Sequence, residues 1–209
     1  MCSSDLEQGR TGEITRCINC LYCIESMQSN AYIGSHAGCS VNVRIGRENE
    51  TLAADGQGRT VAVIGAGPAG MAAASFLCER GFHPVVLEKN AQPGGQLVPG
   101  GKPPHKSKIA WCIEDLYGSA LRGGAEFRFG TEADAQAVEA LVPYAVIVAT
   151  GGEPAVPRAV PGIESPMVCT ADEVLACPEK IAAGEVVVIG SGMTGLETAE
   201  LLAGLGKRV

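Results

Sequence analysis

A short run of apolar and β-branched residues, a G-x-G-x-x-G loop and an apolar helix follow one another twice in this chain, 125 residues apart. Thr60-Val61-Ala62-Val63-Ile64 precedes Gly65-Ala66-Gly67-Pro68-Ala69-Gly70, and Glu185-Val186-Val187-Val188-Ile189 precedes Gly190-Ser191-Gly192-Met193-Thr194-Gly195. Each run has the character of a strand buried in a parallel sheet. Pro68 suits the first turn of the helix predicted over 68–80, and Gly81 its end. A second strand is predicted at 84–87 and a buried strand at 145–149. Helices are predicted at 106–122, with Ile109, Ile113, Leu116 and Leu121 as core candidates, and at 132–141. Glu126–Phe129 alternates like a strand, 91–105 reads as a Gly/Pro loop, and 196–203 as the helix after the second glycine loop. The pattern specifies an α/β chain built on parallel sheets.

Composition narrows the function classes. Apolar residues make up 46% and charged residues 19%, with 28 glycines but only nine aromatics, which excludes a disordered chain and disfavours an aromatic-rich sandwich. The net charge of −7 without a basic cluster argues against nucleic acid or an anionic membrane surface as partner. No apolar run approaches the ~20 residues that span a bilayer. The first residues carry neither a basic nor an apolar leader region, so the cytoplasm is the expected location.

The glycine spacing alone is not specific, but the first copy has its full context. Gly65 permits the tight turn, Gly67 close approach to a pyrophosphate, and Gly70 close packing of helix on strand. The helix N-terminus offers free N–H groups and about half a positive charge. Glu88 lies 18 residues beyond Gly70 at the end of the second strand, where a carboxylate accepts hydrogen bonds from an adenosine ribose. In the second copy the equivalent position falls beyond Val209, so NAD and NADP are not distinguished. Glu197 reads most simply as a solvated first-turn acid.

Nine cysteines, an odd number, without a secretory leader do not form a disulfide framework. Cys2, Cys78, Cys112, Cys169 and Cys177 are scattered and read as small hydrophobes. Cys17-x2-Cys20-x2-Cys23-x15-Cys39 is different: three close cysteines and one distant one is the iron–sulfur habit. A four-cysteine zinc site more often comes as two separated pairs, so zinc fits less well. His36 reads as a surface residue or a neighbour of the ligands. Residues 1–50 have few long apolar stretches and need help from a metal or another domain to order. A dinucleotide site beside such a cluster is the arrangement of an electron-transfer chain.

Further stretches then become recognisable. Arg16-Cys17-Ile18-Asn19-Cys20, Cys39-Ser40-Val41-Asn42 and Arg44-Ile45-Gly46-Arg47-Glu48 resemble the segment after the barrel in NADH:flavin oxidoreductases of the old yellow enzyme superfamily. That group includes dienoyl-CoA reductase, enoate reductase, trimethylamine dehydrogenase and bile-acid-transforming reductases. The resemblance continues through Val61–Gly70, Gly94-Gly95-Gln96-Leu97, Ala149-Thr150-Gly151, Pro161-Gly162 and Val186–Ala199. It implies an iron–sulfur segment (1–50), a linker (51–58), a Rossmann-like FAD-binding domain (59–165) and the first βα unit of an NAD(P)-binding Rossmann-like domain (166–209). It implies one 4Fe-4S cluster on Cys17, Cys20, Cys23 and Cys39. The FAD site would comprise Gly65, Gly67, Pro68, Ala69, Gly70, Glu88, Lys89, Gly95, Gln96, Leu97, Ala149, Thr150 and Gly151, with ADP as the alternative occupant. Gly190, Gly192, Thr194 and Gly195 would meet the nicotinamide nucleotide. The implied route runs from NAD(P)H through FAD and the cluster to FMN in a barrel that reduces an unsaturated or amine substrate.

Many members have C-x2-C-x3-C, whereas this chain has one residue fewer between the second and third cysteines. The barrel, its FMN site and its catalytic acid have no counterpart here, so the chain is expected to be an internal fragment or split gene of a longer enzyme. Two other readings of the same residues are an electron-feeding subunit of the glutamate synthase type, which usually carries more cysteines, and a metal-stapled nucleotide-binding module without turnover.

Overall fold

The computed structural model describes residues 7–32, 34–47, 49–182 and 184–209. Cys2 and the other residues of 1–6, and Glu48 of the Arg44–Glu48 stretch, lie outside them. The chain forms two compact units, Met1–Gly95 with Ala110–Thr150, and Gln96–Ile109 with Gly151–Val209.

The first unit is built on a four-stranded parallel sheet in the order β3-β2-β1-β4, with β1 at Thr60–Ile64, β2 at His83–Glu88, β3 at Glu126–Phe129 and β4 at Ala145–Val148. Its main helices are α1 (Tyr22–Ala31) in the cysteine segment, α2 (Pro68–Glu79) after the first glycine loop, and α4 (Ile109–Gly123), nearly all of which belongs here. A short α5 (Ala135–Glu139) precedes β4. Register aligns Val63 with Val86 and Ile147, and Val86 with Phe127, so one sheet face presents a continuous apolar row. Val61, Val63, Val86, Ala74 of α2 and Ala120 of α4 form the core, with Leu77, Phe127, Phe129 and Ile147 packed against it. The strand order reverses at β1: the chain moves outward to β2 and β3, then returns to β4 on the other side. The crevice at the carboxyl ends of β1 and β4 is the switch point where ligands bind in open α/β sheets.

Sequence expectations and structure differ in a few places. β4 is not buried: Val148 is 71% and Val146 45% exposed, because β4 pairs with β1 alone and only Ile147 faces the core. Leu121 is exposed rather than core, and Cys112 and Ala120 are the buried positions of α4. Residues 51–58 are no loose tether. Gly56 N donates to Arg80 O at 2.8 Å, Gly58 N to Gly81 O at 2.8 Å, and Asp55 pairs with Arg80 at 2.6 Å.

The second unit contains α3 (Leu97–Gly100), which interrupts the predicted loop, α6 (Ala171–Ala176) and α7 (Met193–Gly204). Residues 185–189 do not form the expected strand. A strand exists as half of a ladder, and here a single bridge, Glu185 to Arg208, is made. Val187 is 81% and Ile189 72% exposed as a result. Among the described residues no helix is long and apolar enough to cross a membrane.

A dinucleotide-type crevice and a cysteine segment

The first glycine loop closes on the end of β1 with no room to spare. Gly65 has φ +102°, and a Cβ there would stand 2.5 Å from Ala149 O of the chain leaving β4. A Cβ on Gly70 would collide with Gly65 O, so the helix can approach the strand this closely only with glycine. Gly67 is the N-cap of α2, with φ −72° and ψ 179° and no side-chain cap. Pro68 begins the helix, and the first helical bond runs from Met71 N to Gly67 O at 3.0 Å, leaving the amides of Ala69 and Gly70 ahead of it. The Gly94-Gly95 turn lies over the loop: Gly94 N donates to Ala66 O at 2.9 Å, and a Cβ on Gly95 would meet Gly67 Cα at 3.0 Å.

Glu88 lies at the same crevice and is only 5% exposed. One carboxylate oxygen accepts from Ala66 N at 2.7 Å. The other accepts from Asn90 N at 2.8 Å and Asn90 Nδ2 at 2.7 Å. The acid therefore first orders the loop that would cradle phosphate, a role sequence reasoning missed, and Asn90 is its partner. Lys89 is exposed beside it. Gly65, Gly67, Pro68, Ala69, Gly70, Glu88, Gly95, Ala149 and Thr150 thus line one crevice of the first unit. Gln96, Leu97 and Gly151 fall in the second unit, where Gln96 Nε2 donates to Gly152 O at 2.6 Å and Gly151 has φ +75°.

The second loop repeats the first in backbone detail. Gly190 has φ +114°, and a Cβ on Gly195 would collide with Gly190 O. Gly192 caps α7 with φ −72° and ψ 172°, and Leu196 N donates to Gly192 O at 3.0 Å. Thr194 is exposed at the first turn, and its carbonyl accepts from Thr198 Oγ1 at 2.7 Å. Glu197 is not a free surface acid: its carboxylate pairs with Lys106 at 2.6 Å.

The cysteine segment folds so that its two arms meet. Asn19 (φ +58°) and Leu21 (φ +60°) are left-handed, a conformation rare for such residues and frequent at functional loops. Asn19 N points at Cys17 Sγ (3.4 Å) and Asn42 N at Cys39 Sγ (3.4 Å). Cys20 Sγ lies 3.3 Å from Ser40 Oγ, adjacent in chain to Cys39. The Ser40 hydroxyl, then the Tyr22 amide, lower the Cys20 thiol below its ordinary range. Ser26, one turn after Cys23 on α1, is buried. It accepts from Gly38 N at 2.7 Å and lies 3.0 Å from Cys23 O. Ser26 and Ser40 carry no sequence signal of their own. None of these four cysteines is in a disulfide. Among the described residues no three His, Cys, Asp or Glu side chains converge as a metal site. His36 is exposed and its Nε2 accepts from Arg47 Nε at 3.2 Å.

Residues 59–209 match the model of the pyridine nucleotide-disulphide oxidoreductase family. The chain is similar to an NADH oxidase of Thermoanaerobacter brockii, 39% identical over 97% of this chain and 32% of that protein. It is similar to a bilirubin reductase of Mediterraneibacter gnavus, 36% identical over 98% of this chain and 31% of that protein. Among solved structures it resembles a 2-naphthoyl-CoA reductase in complex with 2-naphthoyl-CoA, with TM-score 0.86 and 29% identity over 98% of this chain and 31% of that one. The chain thus spans about a third of the length of the curated relatives it matches. With two glycine loops of one geometry, a parallel Rossmann-like sheet and a family match over most of its length, this chain belongs to the pyridine nucleotide-disulphide oxidoreductase family.

Proposed function

We propose that this chain is the NAD(P)H-oxidising electron-transfer module of a larger cytoplasmic flavoenzyme. FAD would occupy the crevice of Gly65–Gly70 and Glu88, the nicotinamide nucleotide the Gly190–Gly195 loop, and a 4Fe-4S cluster Cys17, Cys20, Cys23 and Cys39. When bound, these groups would supply hydride acceptance and its division into single electrons, for an FMN-bearing barrel that would reduce an unsaturated substrate. The residues of this chain bind and orient. The α2 N-terminus would meet the pyrophosphate, and Glu88, which holds the loop through Ala66 N, would accept from a ribose.

The observation that carries the reading is the repetition of one phosphate-loop geometry at two sites, one of them at the switch point of a parallel sheet. The relatives are named as an oxidase and reductases, in keeping with a pyridine-nucleotide electron source. The described cysteine side chains do not converge as a metal site; what supports the cysteine assignment is the donor set and its backbone setting, with amides aimed at Cys17 and Cys39 and two serine links between the arms. Leu21, Ile24, Met27 and Val43 lie exposed on this segment, an apolar face suited to the FMN-bearing barrel.

The test is anaerobic purification followed by flavin, iron and sulfide assays and NAD(P)H titration. The expected result is one flavin, about four iron and about four sulfide per chain, bleaching of flavin by NAD(P)H, and diaphorase turnover with ferricyanide. A colourless, zinc-containing protein that NAD(P)H does not reduce sinks the proposal.

A further inference from the structure

We propose that Arg16 and Arg44 are positioning residues that clamp the cysteine segment onto the two helices of the nucleotide-binding unit, and that these clamps, not a shared apolar core, fix the separation between the cysteines and the first glycine loop. The inference rests on the proposed function for the groups it aligns, but its structural half stands on contacts alone.

Among the described residues of 7–50, Ser26 is the only buried one, and Ile14, Ile18, Val41 and Ile45 are no more than half-buried, so no buried apolar side chain anchors this segment. Two guanidinium groups tie it down. Arg16 immediately precedes Cys17. Its backbone N donates to Asp115 Oδ2 at 2.8 Å, and its Nε and Nη2 donate to Asp115 Oδ1 at 3.0 and 2.6 Å. Nη2 also reaches Glu114 Oε2 at 2.7 Å and Trp111 O at 3.4 Å, and the guanidinium lies 5.3 Å from the centre of the Trp111 ring. All three partners are on α4. Asp115 is mostly shielded, its side chain 14% exposed. Cys112, one turn away on the same helix, is buried.

Arg44, five residues past Cys39, makes the second clamp. Its Nη2 lies 2.7 Å from both oxygens of Glu79, its Nη1 donates to Glu50 O at 3.3 Å, and its guanidinium stands 5.6 Å from the centre of the Phe76 ring. Glu79 and Phe76 belong to α2, the helix whose other end is the first glycine loop. The segment is therefore fastened just outside its first and last ligand-type cysteines, to the two helices that cover one face of the sheet. Planar, multi-donor contacts of this kind fix orientation as well as distance, which lysine does not reproduce. If flavin and cluster bind as proposed, Arg16 and Arg44 would hold the cysteines in fixed relation to the helix that carries the first glycine loop.

The experiment uses the full chain, anaerobically purified, as wild type, R16K, R16A, D115N and R44A. Iron and flavin contents are assayed. The cluster signal is followed by electron paramagnetic resonance after NAD(P)H or dithionite, and amide hydrogen exchange is measured over residues 16–44. R16A and R44A are expected to retain flavin and its bleaching by NAD(P)H. Cluster reduction by NAD(P)H is expected to slow by up to about a hundredfold, the scale on which a misplacement of about an ångström slows other positioned reactions, while dithionite still reduces it. Exchange over 16–44 should rise in R16A, R44A and D115N, and in wild type at high salt, where partly exposed pairs are screened. R16K should fall between wild type and R16A. Wild-type cluster reduction rates and wild-type exchange in R16A and R44A overturn the proposal. If R16A fails to hold flavin, D115N and the salt series still decide through exchange. A wild-type chain without iron and sulfide defeats the functional reading separately, and the exchange data then judge the clamp alone.

Discussion

Glu88 and Gly70, both buried, shape the first glycine loop. The acid was visible in the sequence by its distance from Gly70, but its protein partners were not, because hydrogen bonds to Ala66 N and Asn90 depend on how a loop curls and not on spacing. Glu88→Ala removes the acceptor from a buried loop amide and, under the proposed function, from a ribose. A charged hydrogen bond contributes about 2 kcal/mol, so flavin affinity should fall about thirtyfold, with Glu88→Gln between it and wild type. Fluorescence titration of flavin-depleted protein measures this, and an unchanged affinity removes Glu88 from the site. Gly70→Ala places a methyl group against Gly65 O and should displace α2, costing roughly 1–3 kcal/mol in a thermal melt along with flavin. Gly195→Ala makes the same collision with Gly190 O in the second loop. It is expected to keep flavin and dithionite bleaching yet lose bleaching by NAD(P)H. Retained bleaching by NAD(P)H would place the nicotinamide nucleotide elsewhere.

The elements follow the sequence where their apolar pattern is strong and depart from it where pairing decides. β1, β2 and α2 stand where β-branched runs and Pro68 put them. The difference at 185–189 has a tertiary cause: Val186–Ile189 is as β-branched as Thr60–Ile64 but makes only the Glu185–Arg208 bridge. Local caps set the short helices. Asp134 accepts from Ala137 N at 2.7 Å and starts α5 later than periodicity suggests. At α6, Thr170 and Glu173 form a capping box: Glu173 N donates to Thr170 Oγ1 at 3.3 Å, and Thr170 N donates to Glu173 Oε2 at 2.7 Å. Thr170→Ala should cost about 1 kcal/mol, read as about fivefold faster amide exchange over 171–176. The Thr170 amide and hydroxyl hold the Glu173 carboxyl below its ordinary range. A depressed folded-state value means that its contribution is present above the unfolded value, about 4.3, and is lost as pH falls through the lower folded one. Amide protection at α6, corrected for the intrinsic pH dependence of exchange, should therefore fall in acid below about pH 4, and Glu173→Gln should flatten that dependence. A wild-type acid profile in Glu173→Gln would remove the carboxylate from the cap.

For the molecule as a whole, the sequence made the nucleotide-binding plan legible through two repeated loops, yet said little about which apolar surfaces stay uncovered. Alternation places Val146 and Val148 on one face of β4, and both are exposed. In the second unit, Val187, Ile189, Met193 and Leu196 are each more than 60% exposed around the second glycine loop. Hydrophobic side chains are buried in a parallel sheet only when something packs on them, and soluble monomers rarely leave large contiguous apolar patches to water. The chain produced alone should therefore bind a hydrophobic dye such as anilinonaphthalene sulfonate and self-associate at micromolar concentration. Val148→Lys and Val187→Lys each introduce a charge on an exposed apolar strip without touching the core, so each should lower dye fluorescence and shift sedimentation toward the monomer. Addition of a flavin-bearing barrel in trans should quench dye binding at Leu21, Ile24, Met27 and Val43 and leave the contributions of Val148 and Val187 in place, because the proposed partner faces the cysteine segment. A monodisperse, dye-silent wild-type chain would mean that these side chains are covered in solution and that the second loop is better ordered than its single bridge implies.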